Sequence, residues 1–555
     1  MIDFREVLTI SARYLHFPIR SGSPKVVLQL EHMGQVVREF SAELADGDPP
    51  DWWAFYDVSA FYGEVLTLKA LSPLPEAQAA WLAQNILQSN TLIGMEDLYH
   101  EAYRPQFHFT PRRGWNNDPN GMLYHQGEWH LFYQHNPFGV GWGNMHWGHA
   151  VSRDLVHWME LPEALYQKSL ADMAYSGGGL VDAGNSAGWK QGVEDALVVA
   201  FTSTGRGECL AYSLDRGRTL MEFGGNPVIA HQGRDPKIIW YAPGKHWVMI
   251  VYEEPLESGS GSGGGGTAES FGYAIYTSTD LKDWQRPPAG TTKRGQSFLP
   301  GWYECPELFE IAVDGQPGEM QWVVYGNLKG QNKSAYQVGS FDGRTFTPSM
   351  PPSPAHAGPS FYAAQIFSHA PQERRIMVGW LEKAAYPGMP FSQGMSVPLE
   401  LSLRRAADET APYRLCFYPV EELAQLRQTE VRGSALNLAG ANALLASPEL
   451  GELLDIQLEV DAASPFTLHI GEYPLTWDPS RAEIRFAGQA AAVSPVYSRL
   501  SLRLLLDRSL TEVFVDGGWA AFAALTLFPP GGRTLRMDGD SQNIALSIYT
   551  LNSIW

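Results

Sequence analysis

The chain has 555 residues, of which 60 are acidic and 40 are basic, so its formal charge at pH 7 is −20. A negative field of that size repels phosphate backbones and anionic lipid surfaces, which excludes nucleic acid and membranes as expected partners and favours a neutral one. The length and the hydrophobic content of 44% predict two or three domains, each with a buried core.

The cysteines and the N-terminus narrow the class of protein further. Cys209, Cys305 and Cys416 lie far apart, without the paired spacing of a zinc site or a disulfide framework, so we expect no metal and no other cofactor. The chain begins MIDFREVLTISARYL, without a basic stretch followed by an apolar run, and no segment sustains about 20 apolar residues. We therefore expect a soluble cytoplasmic protein, or a secreted or periplasmic one if a leader has been removed.

Residues 1–98 form the first predicted unit. Apolar and polar residues alternate in VVLQLEHMGQVVREF and FYGEVLTLKAL, which predicts a small antiparallel β-rich domain. The segment LPEAQAAWLAQNILQ, residues 74–88, has proline near its start and apolar residues at helical spacing. It predicts a helix that leads out of this domain.

Residues 103–405 are dominated by aromatic-rich strand patterns such as GEWHLFYQH and KHWVMIVY. One motif recurs there as SRDLVHW at 152, SLDRGRTL at 213, STDLKDW at 278 and SFDGRTF at 340, at intervals of 61, 65 and 62 residues. Self-similarity at a fixed period in an all-strand region predicts a β-propeller of about five blades, one repeat per blade. The alternative is a large all-β protein with independent Ser-x-Asp turns.

Two further segments complete the predicted architecture. ESGSGSGGGGTAES, residues 257–270, predicts a flexible insertion in a hairpin. After the Pro- and Ala-rich RRAADETAPY, the alternation in RLSLRLLLDRSLTEVFVDGG predicts a two-sheet sandwich over 415–555. The predicted fold is therefore all-β, with an N-terminal β-rich domain (1–98), a five-bladed β-propeller (103–405) and a C-terminal β-sandwich (415–555).

Three carboxylates stand out by their sequence context: Asp118 in GWNNDPNGM, Asp235 in GRDPK and Glu304 in GWYECPE. Each comes from a different repeat, and on three successive inner strands they would face one funnel. Carboxylates around a neutral substrate suit cleavage of a glycosidic bond, where one donates a proton and another attacks or stabilises an oxocarbenium-like centre. Taken singly, Asp118 could be an Asx-turn and Asp235 a salt-bridge partner of Arg234, so the hypothesis depends on their conjunction.

FTPRRGWNNDPNGM, GRDPK and YECPELFE, in this order, resemble glycoside hydrolase family 32, the β-fructosidases that include invertases, levanases and inulinases. The resemblance covers about 103–555 and implies a five-bladed propeller followed by a sandwich, with retention of configuration at the anomeric carbon. It implies that Asp118 is the nucleophile and Glu304 the general acid/base. Asp235 would be the transition-state stabiliser that, with Arg234, holds fructosyl hydroxyls.

The resemblance also implies a fructosyl pocket lined by amide, hydroxyl and aromatic side chains, which bond sugar hydroxyls or pack on sugar faces. The matching residues are Asn117, Gln134, Trp142, Tyr175, Ser176 and Trp380. Core packing is the alternative for the two tryptophans and for Tyr175. Hydrogen bonds from neighbouring amides are expected to favour the charged form of Asp118.

The implied activity is release of terminal non-reducing β-D-fructofuranosyl residues from sucrose, levan or inulin-type fructans by double displacement. The alternatives are a fructosyltransferase that makes fructo-oligosaccharides and a non-catalytic fructan-binding propeller. Residues 1–98 lie outside the family core and resemble an extra sheet domain on some bacterial levanase-like members. This domain could bind fructan or shape the active-site rim, and it or the sandwich could mediate homo-oligomerisation.

Overall fold

The computed structural model describes residues 1–94, 96–230, 232–254, 271–287, 298–329, 334–494, 498–528 and 533–555. The Gly/Ser-rich segment 257–270 lies outside these ranges. The described chain is mostly β, as predicted. Within it, no helix is long and apolar enough to cross a membrane.

The N-terminal unit consists of two small sheets and one helix. Its elements are β1 (Arg5–Thr9), β2 (Tyr14–Ile19), β3 (Lys25–His32), β4 (Gln35–Glu43), β5 (Trp52–Asp57), a 3-10 turn (Ser59–Phe61), β6 (Val65–Ala70), α1 (Glu76–Asn85) and β7 (Leu87–Ser89). The strand orders are β1-β6-β3-β4 and β5-β2-β7. The alternation predicted for this unit buries Leu28, Leu30 and Phe40 in one core with Leu15 and Phe17.

The predicted helix over 74–88 is shorter in the structure. It begins after Pro75 and ends at Asn85. The next residues leave the helix because Leu87 pairs with His16 of β2, and this adds β7 as an edge strand. Sheet pairing therefore overrides the helical periodicity in the last turn.

Four sheets of the central region share one design. Their strands are β8 (Gly114–His125), β9 (Glu128–Asn136), β10 (His146–Ser152), β11 (Met159–Leu165), β12 (Ala174–Tyr175), β13 (Gly179–Asp182), β14 (Ala196–Ser203), β15 (Gly207–Ser213), β16 (Met221–Glu222), β17 (Gly233–Tyr241), β18 (His246–Glu253), β19 (Gly272–Ser278), β20 (Phe298–Pro300), β21 (Trp302–Val313), β22 (Gln316–Leu328), β23 (Ser334–Phe341) and β24 (Phe346–Pro348). The first sheet contains β8–β11, the second β12–β16, the third β17–β20 and the fourth β21–β24, and neighbouring strands pair in chain order. In the second sheet, β12 and β13 both pair with β14. Every Ser-x-Asp motif begins at the last or next-to-last residue of the third strand.

The physical basis of the repeat is a capped turn. The Asp154 carboxylate accepts hydrogen bonds from the backbone of Val156 and His157, at 3.0 and 2.9 Å. Asp280 accepts the equivalent bonds from the two residues after Leu281, at 3.0 and 2.9 Å. The motif is thus an Asx-type turn between the third and fourth strands. It recurs because the same connection is built once in each sheet.

A further set of strands follows and returns to the first sheet. These are β25 (Ser353–Pro354), β26 (Phe361–Ile366), β27 (Ile376–Leu381), β28 (Phe391–Ser392), β29 (Leu399–Arg405) and β30 (Tyr413–Pro419), with 3-10 turns at Ala242–Gly244, Pro371–Glu373 and Glu421–Leu426. Strand β25 pairs with β23, and β28 pairs with β8. Strands β26, β27, β29 and β30 pair with one another and are called the fifth sheet below, although β29 also joins β21 of the fourth sheet at one position, where Leu403 pairs with Val313. Apolar clusters lie between successive sheets, and one of them joins Ile366 and Met377 of the fifth sheet to Met122 and Trp129 of the first. The apolar contacts therefore form a closed ring.

The C-terminal region contains two more sheets and one helix. Its elements are β31 (Arg427–Leu436), α2 (Leu438–Leu445), β32 (Leu454–Asp461), β33 (Phe466–Ile470), β34 (Tyr473–Asp478), β35 (Glu483–Phe486), β36 (Gln489–Ala492), β37 (Arg499–Leu506), β38 (Leu510–Val515), β39 (Ala520–Leu525), β40 (Leu535–Gly539) and β41 (Ile544–Leu551). The strand orders are β31-β41-β32-β37-β38-β39 and β36-β35-β34-β33-β40. Ile456 and Leu504 of the first sheet and Leu468 and Ile484 of the second share one core.

A buried ionic cluster joins the C-terminal region to the segment before β8. His108 lies 2.8 Å from Asp507 through Nδ1 and 3.0 Å from Glu512 through Nε2. Asp507 also accepts hydrogen bonds from the backbone N–H of Gln106 and Phe107, at 2.7 and 2.9 Å. Burial alone would lower the pKa of His108, but its hydrogen bonds to the two carboxylates and their charges outweigh it and raise the pKa to about 9.

This cluster predicts a pH-dependent stability. Because the pKa of His108 is raised in the folded protein, its ion pairs add to the free energy of unfolding. This contribution is complete below the ordinary pKa of 6.5 and is lost as the pH rises through about 9. At pH 7 it amounts to roughly 3 kcal/mol, since one pKa unit corresponds to about 1.4 kcal/mol. We expect His108→Gln to lower the thermal unfolding midpoint at pH 7 and to flatten its decline between pH 7 and 9.5.

The matched control is His157→Gln, because His157 also pairs with a carboxylate, Asp154, but at the surface. The thermal unfolding midpoint of the His157→Gln protein should stay near that of the wild type at each pH. A His108→Gln protein that keeps the wild-type decline with pH contradicts the interpretation.

Candidate active site

The three predicted acids lie where the first strands of their sheets lose regular pairing. The register of β8, β17 and β21 shifts at Asp118, Asp235 and Glu304 respectively. A β-bulge of this kind turns a side chain away from the direction that strict alternation would give it. Asp235 and Glu304 have φ of +66° and +49°, which non-glycine residues adopt rarely and mostly at functional sites. A proline follows each acid within two residues, and bulges are one of the few places where a strand accepts proline.

The acids come from the first, third and fourth sheets, so the prediction of three successive inner strands is wrong. The second sheet also contributes to the site, through the segment between β12 and β13. Ser176 of that segment donates a hydrogen bond from Oγ to Oδ2 of Asp118, at 2.6 Å. The site therefore includes the second sheet as well as the three sheets that carry the acids, with hydroxyl and aromatic groups from the second one.

Asp118 is held by its own neighbours in the sequence as well. Asn117 donates from Nδ2 to Oδ1 of Asp118 at 3.0 Å, and Trp115 donates from Nε1 to the Asn117 amide oxygen at 2.9 Å. Burial nevertheless raises the pKa of Asp118, with a smaller contribution from the charge of Glu304. The hydrogen bonds from Ser176 and Asn117 lower the pKa, so the expectation that a neighbouring amide favours the charged form is confirmed, although burial outweighs them.

Cys305 lies between the two aspartates. Its backbone N–H donates to Oδ2 of Asp235 at 3.0 Å, and its Sγ lies 3.6 Å from Oδ2 of both Asp118 and Asp235. Burial raises the pKa of the Cys305 thiol, so the thiol stays protonated and can donate to a carboxylate. Burial also raises the pKa of Asp235, to about 8, and Arg234 opposes this shift while Glu304 and Asp118 add to it.

Glu304 is bound at both of its oxygens. Arg234 donates from Nη2 to Oε1 at 2.8 Å, and the Tyr362 hydroxyl donates to Oε2 at 2.8 Å. Arg234 also pairs with Glu254 at 3.1 Å and donates to the Tyr303 hydroxyl at 2.9 Å. The predicted alternative, a plain salt bridge from Arg234 to Asp235, is replaced by ion pairs to the two glutamates.

The other predicted contacts lie around these groups. Trp142 is 50% exposed, which excludes core packing, and its ring meets the edge of Tyr175 at a centroid distance of 6.1 Å. Gln134 is buried and donates from Nε2 to the Ala174 carbonyl at 3.0 Å, directly before Tyr175. Trp380 packs 6.1 Å from the ring of Tyr362. Trp380 thus contacts a residue that bonds Glu304, whereas Gln134 and Trp142 contact the segment that leads into Ser176.

Two residues of the site were missed from the sequence. The spacing of Cys305 from the other cysteines indicates neither a disulfide nor a metal site, and its position directly after Glu304 is the signal that could reveal its role. Tyr362 lies on the fifth sheet, without an acid or a turn motif beside it, so no local pattern marked it. Within the described residues, no group of three or more His, Cys, Asp or Glu side chains is arranged to hold a metal ion.

This chain is similar to known proteins of one family. Residues 108–413 match the family model of the glycosyl hydrolases family 32 N-terminal domain. Levanase from Bacillus subtilis (strain 168) is 34% identical over 506 residues, which cover 82% of this chain and 72% of that protein. Invertase 1 from Saccharomyces cerevisiae is 34% identical over 324 residues, which cover 54% of this chain and 58% of that protein.

A solved structure extends the likeness to the fold. The crystal structure of exo-inulinase from Aspergillus awamori matches with a TM-score of 0.70 at 26% identity, covering 82% of this chain and 100% of that one. The family model spans more than half of the 555 residues, and it includes all three acids in their bulges. By sequence and by fold, this chain belongs to glycosyl hydrolase family 32.

Proposed function

We propose that the chain is a retaining β-fructosidase that releases terminal non-reducing β-D-fructofuranosyl units from sucrose, levan or inulin-type fructans. The observation that carries the proposal is the convergence of three carboxyl groups. Cys305 lies against Asp118 and Asp235, while Arg234 holds Glu304 beside them. The similarity to a levanase, an invertase and an exo-inulinase supports fructosides as the substrate class.

In the first step, one oxygen of Asp118 attacks the anomeric carbon C2 of the fructosyl unit. The bond from C2 to the leaving oxygen breaks, and Glu304 gives that oxygen a proton, which leaves a fructosyl ester on Asp118. Each oxygen of Asp118 accepts a hydrogen bond from Asn117 or Ser176. Because a carboxylate has about four lone-pair sites, these bonds orient the nucleophile and leave electron pairs for attack.

In the second step, Glu304 takes a proton from water while the water oxygen bonds to C2. The ester bond to Asp118 breaks, and two inversions at C2 give net retention. Glu304 accepts hydrogen bonds at both oxygens, from Arg234 and Tyr362, which is the arrangement of an ionised general base. In the acid form of the first step the proton lies on Oε2, and the Tyr362 hydroxyl can turn to accept, since a hydroxyl is both donor and acceptor.

Asp235 and Arg234 are proposed to bind the fructosyl hydroxyls. Burial raises the pKa of Asp235 to about 8, which favours the protonated form of this carboxyl in the substrate-free site. A protonated carboxyl both donates and accepts, which suits a partner made of hydroxyl groups. Arg234 adds a charge that stays positive because the neighbouring carboxylates raise its pKa against the effect of burial.

The architecture proposed with this function is a five-bladed propeller followed by a sandwich. The capped turn repeated in four sheets and the closed ring of apolar clusters support the propeller. Two sheets around one core support the sandwich. The proposed division remains 1–98, 103–405 and 415–555, and the pairing of β30 with β29 argues for extending the second unit to the end of β30.

The products formed over time from sucrose, levan and inulin test the proposed function. Fructose is expected as the early and sole small product from levan and inulin, and fructose with an equal amount of glucose from sucrose. Products longer than the substrate would instead indicate fructosyl transfer. Binding of all three substrates without any product would indicate a non-catalytic protein and would overturn the proposal.

Asp118→Asn is expected to lower kcat by at least about 10⁴-fold, because an amide cannot form the ester intermediate. The fold should persist, since Asn is isosteric and still accepts from Ser176 at one atom. Initial rates on sucrose, with a thermal unfolding curve to verify folding, check this outcome. A folded variant with wild-type rates would rule out Asp118 as the nucleophile.

Ser176→Ala is expected to shift the acid limb of the kcat/KM profile. The Ser176 hydroxyl lowers the pKa of Asp118 by bonding its charged form, so its removal raises that pKa and moves the acid limb to higher pH. The profile on sucrose is compared with that of Ser213→Ala, a turn serine that bonds Asp215. An unshifted acid limb in Ser176→Ala would show that ionisation of Asp118 does not set it.

A further inference from the structure

Strand β4 of the N-terminal unit lies at the edge of its sheet and contacts two loops of the catalytic region. The first is the β9–β10 loop (137–145), which carries Trp142. The second is the β11–β12 loop (166–173), which leads directly into Tyr175 and Ser176. The backbone N–H and C=O groups on the outer side of an edge strand have no partner in their own sheet. The two loops form hydrogen bonds with such groups of β4.

The β9–β10 loop is tied to this edge through Asn144. Its side-chain amide donates to the Ser41 carbonyl at 2.8 Å and accepts from the Ser41 N–H at 2.8 Å, as a neighbouring strand would. Asn144 also donates to the side chain of Asn136 at the end of β9, at 2.9 Å. It has φ of +43°, in the left-handed region that asparagine tolerates better than most residues.

The start of the same loop is buried in the N-terminal core. The Phe138 ring stacks on Phe40 of β4 at 3.8 Å between centroids and meets the edge of Phe17 at 5.8 Å. Both ends of the loop are therefore fixed by the N-terminal unit. Trp142 lies between these two anchors, half-exposed at the rim and against Tyr175.

The β11–β12 loop is held by the two residues of β4 before Phe40. The Glu39 carboxylate accepts from the Leu170 N–H at 2.9 Å, and the Glu39 carbonyl accepts from Gln167 Nε2 at 2.6 Å. The Arg38 guanidinium lies 3.5 Å from the ring centroid of Tyr166. One strand thus supports both members of the rim pair, which we define as Trp142 and Tyr175.

We propose that the N-terminal unit is a positioning element of the substrate site. Through β4 it fixes the rim pair, which lines the fructosyl pocket at the three acids. Since the rim rings are held before substrate arrives, binding does not have to order them. The inference deepens the proposed function and rests on it for the identity of the substrate.

The test is a double-mutant cycle between the anchor and the rim. Asn144→Asp places an acceptor against the Ser41 carbonyl and the Asn136 side-chain oxygen, which breaks the link. We expect KM for sucrose and for a short inulin-type oligosaccharide to rise about 5- to 10-fold with kcat within about twofold. Trp142→Ala should have a similar effect, and the double variant should show no further increase, because both changes remove the same positioned contact.

The control is Glu31→Gln, on β3 of the same sheet, whose side chain pairs with Lys69 and not with either loop. It should leave KM and kcat at wild-type values. Glu39→Ala is the second anchor variant, in case Asn144→Asp does not fold, and it should raise KM through the β11–β12 loop. KM effects that multiply in the double variant would overturn the proposal, as would an anchor variant that lowers the unfolding temperature with KM unchanged.

Equilibrium binding separates this test from the proposed function. The dissociation constant of the same oligosaccharide, measured by calorimetry on the Asp118→Asn background, should rise by the same factor with Asn144→Asp. If the wild type releases no fructose, the proposed function fails, while this binding cycle still supports or overturns the positioning role.

Discussion

Mutual repulsion among three clustered carboxyl groups is the constraint that the rest of the site accommodates. Burial raises the pKa of both Asp118 and Asp235, and each also feels the charge of Glu304. The charge that remains is held by the Arg234 guanidinium and by neutral donors, chief among them the Cys305 backbone and the Ser176 hydroxyl. Such donors stabilise an anion without the strong pairing that a second cation would bring.

Bringing these groups together requires irregular strands, and irregular strands require rigid support. Positive φ values at Asp235, Glu304 and Cys305 cost on the order of 1–3 kcal/mol each and persist only where the surroundings over-determine them. The support comes from the regular strands behind each bulge, whose apolar side chains pack between successive sheets. The closed ring therefore acts as a scaffold that holds strained strand starts in one place.

The features that could be predicted from the sequence are those with a local physical cause. The Ser-x-Asp period follows from a turn that each sheet repeats, and the acids are conspicuous because Asp-Pro and Glu-Cys-Pro interrupt strand patterns. What could not be predicted depends on contacts across sheets. Cys305 meets Asp118 across 187 residues of chain, and Tyr362 meets Glu304 from a different sheet. Contacts between distant segments likewise determine which sheets surround the site. They also determine that α1 ends at Asn85.

The edge of β4 links the stability of the N-terminal unit to the shape of the site. An exposed edge strand would be open to pairing with other chains, and the Asn144 amide closes it at Ser41. The same hydrogen bonds order the loop that carries Trp142. One set of contacts therefore shields the edge of the sheet from other chains and limits the movement of Trp142. Loss of the unit would therefore free both loops at once, because Glu39 holds the second loop from the adjoining stretch of the same strand.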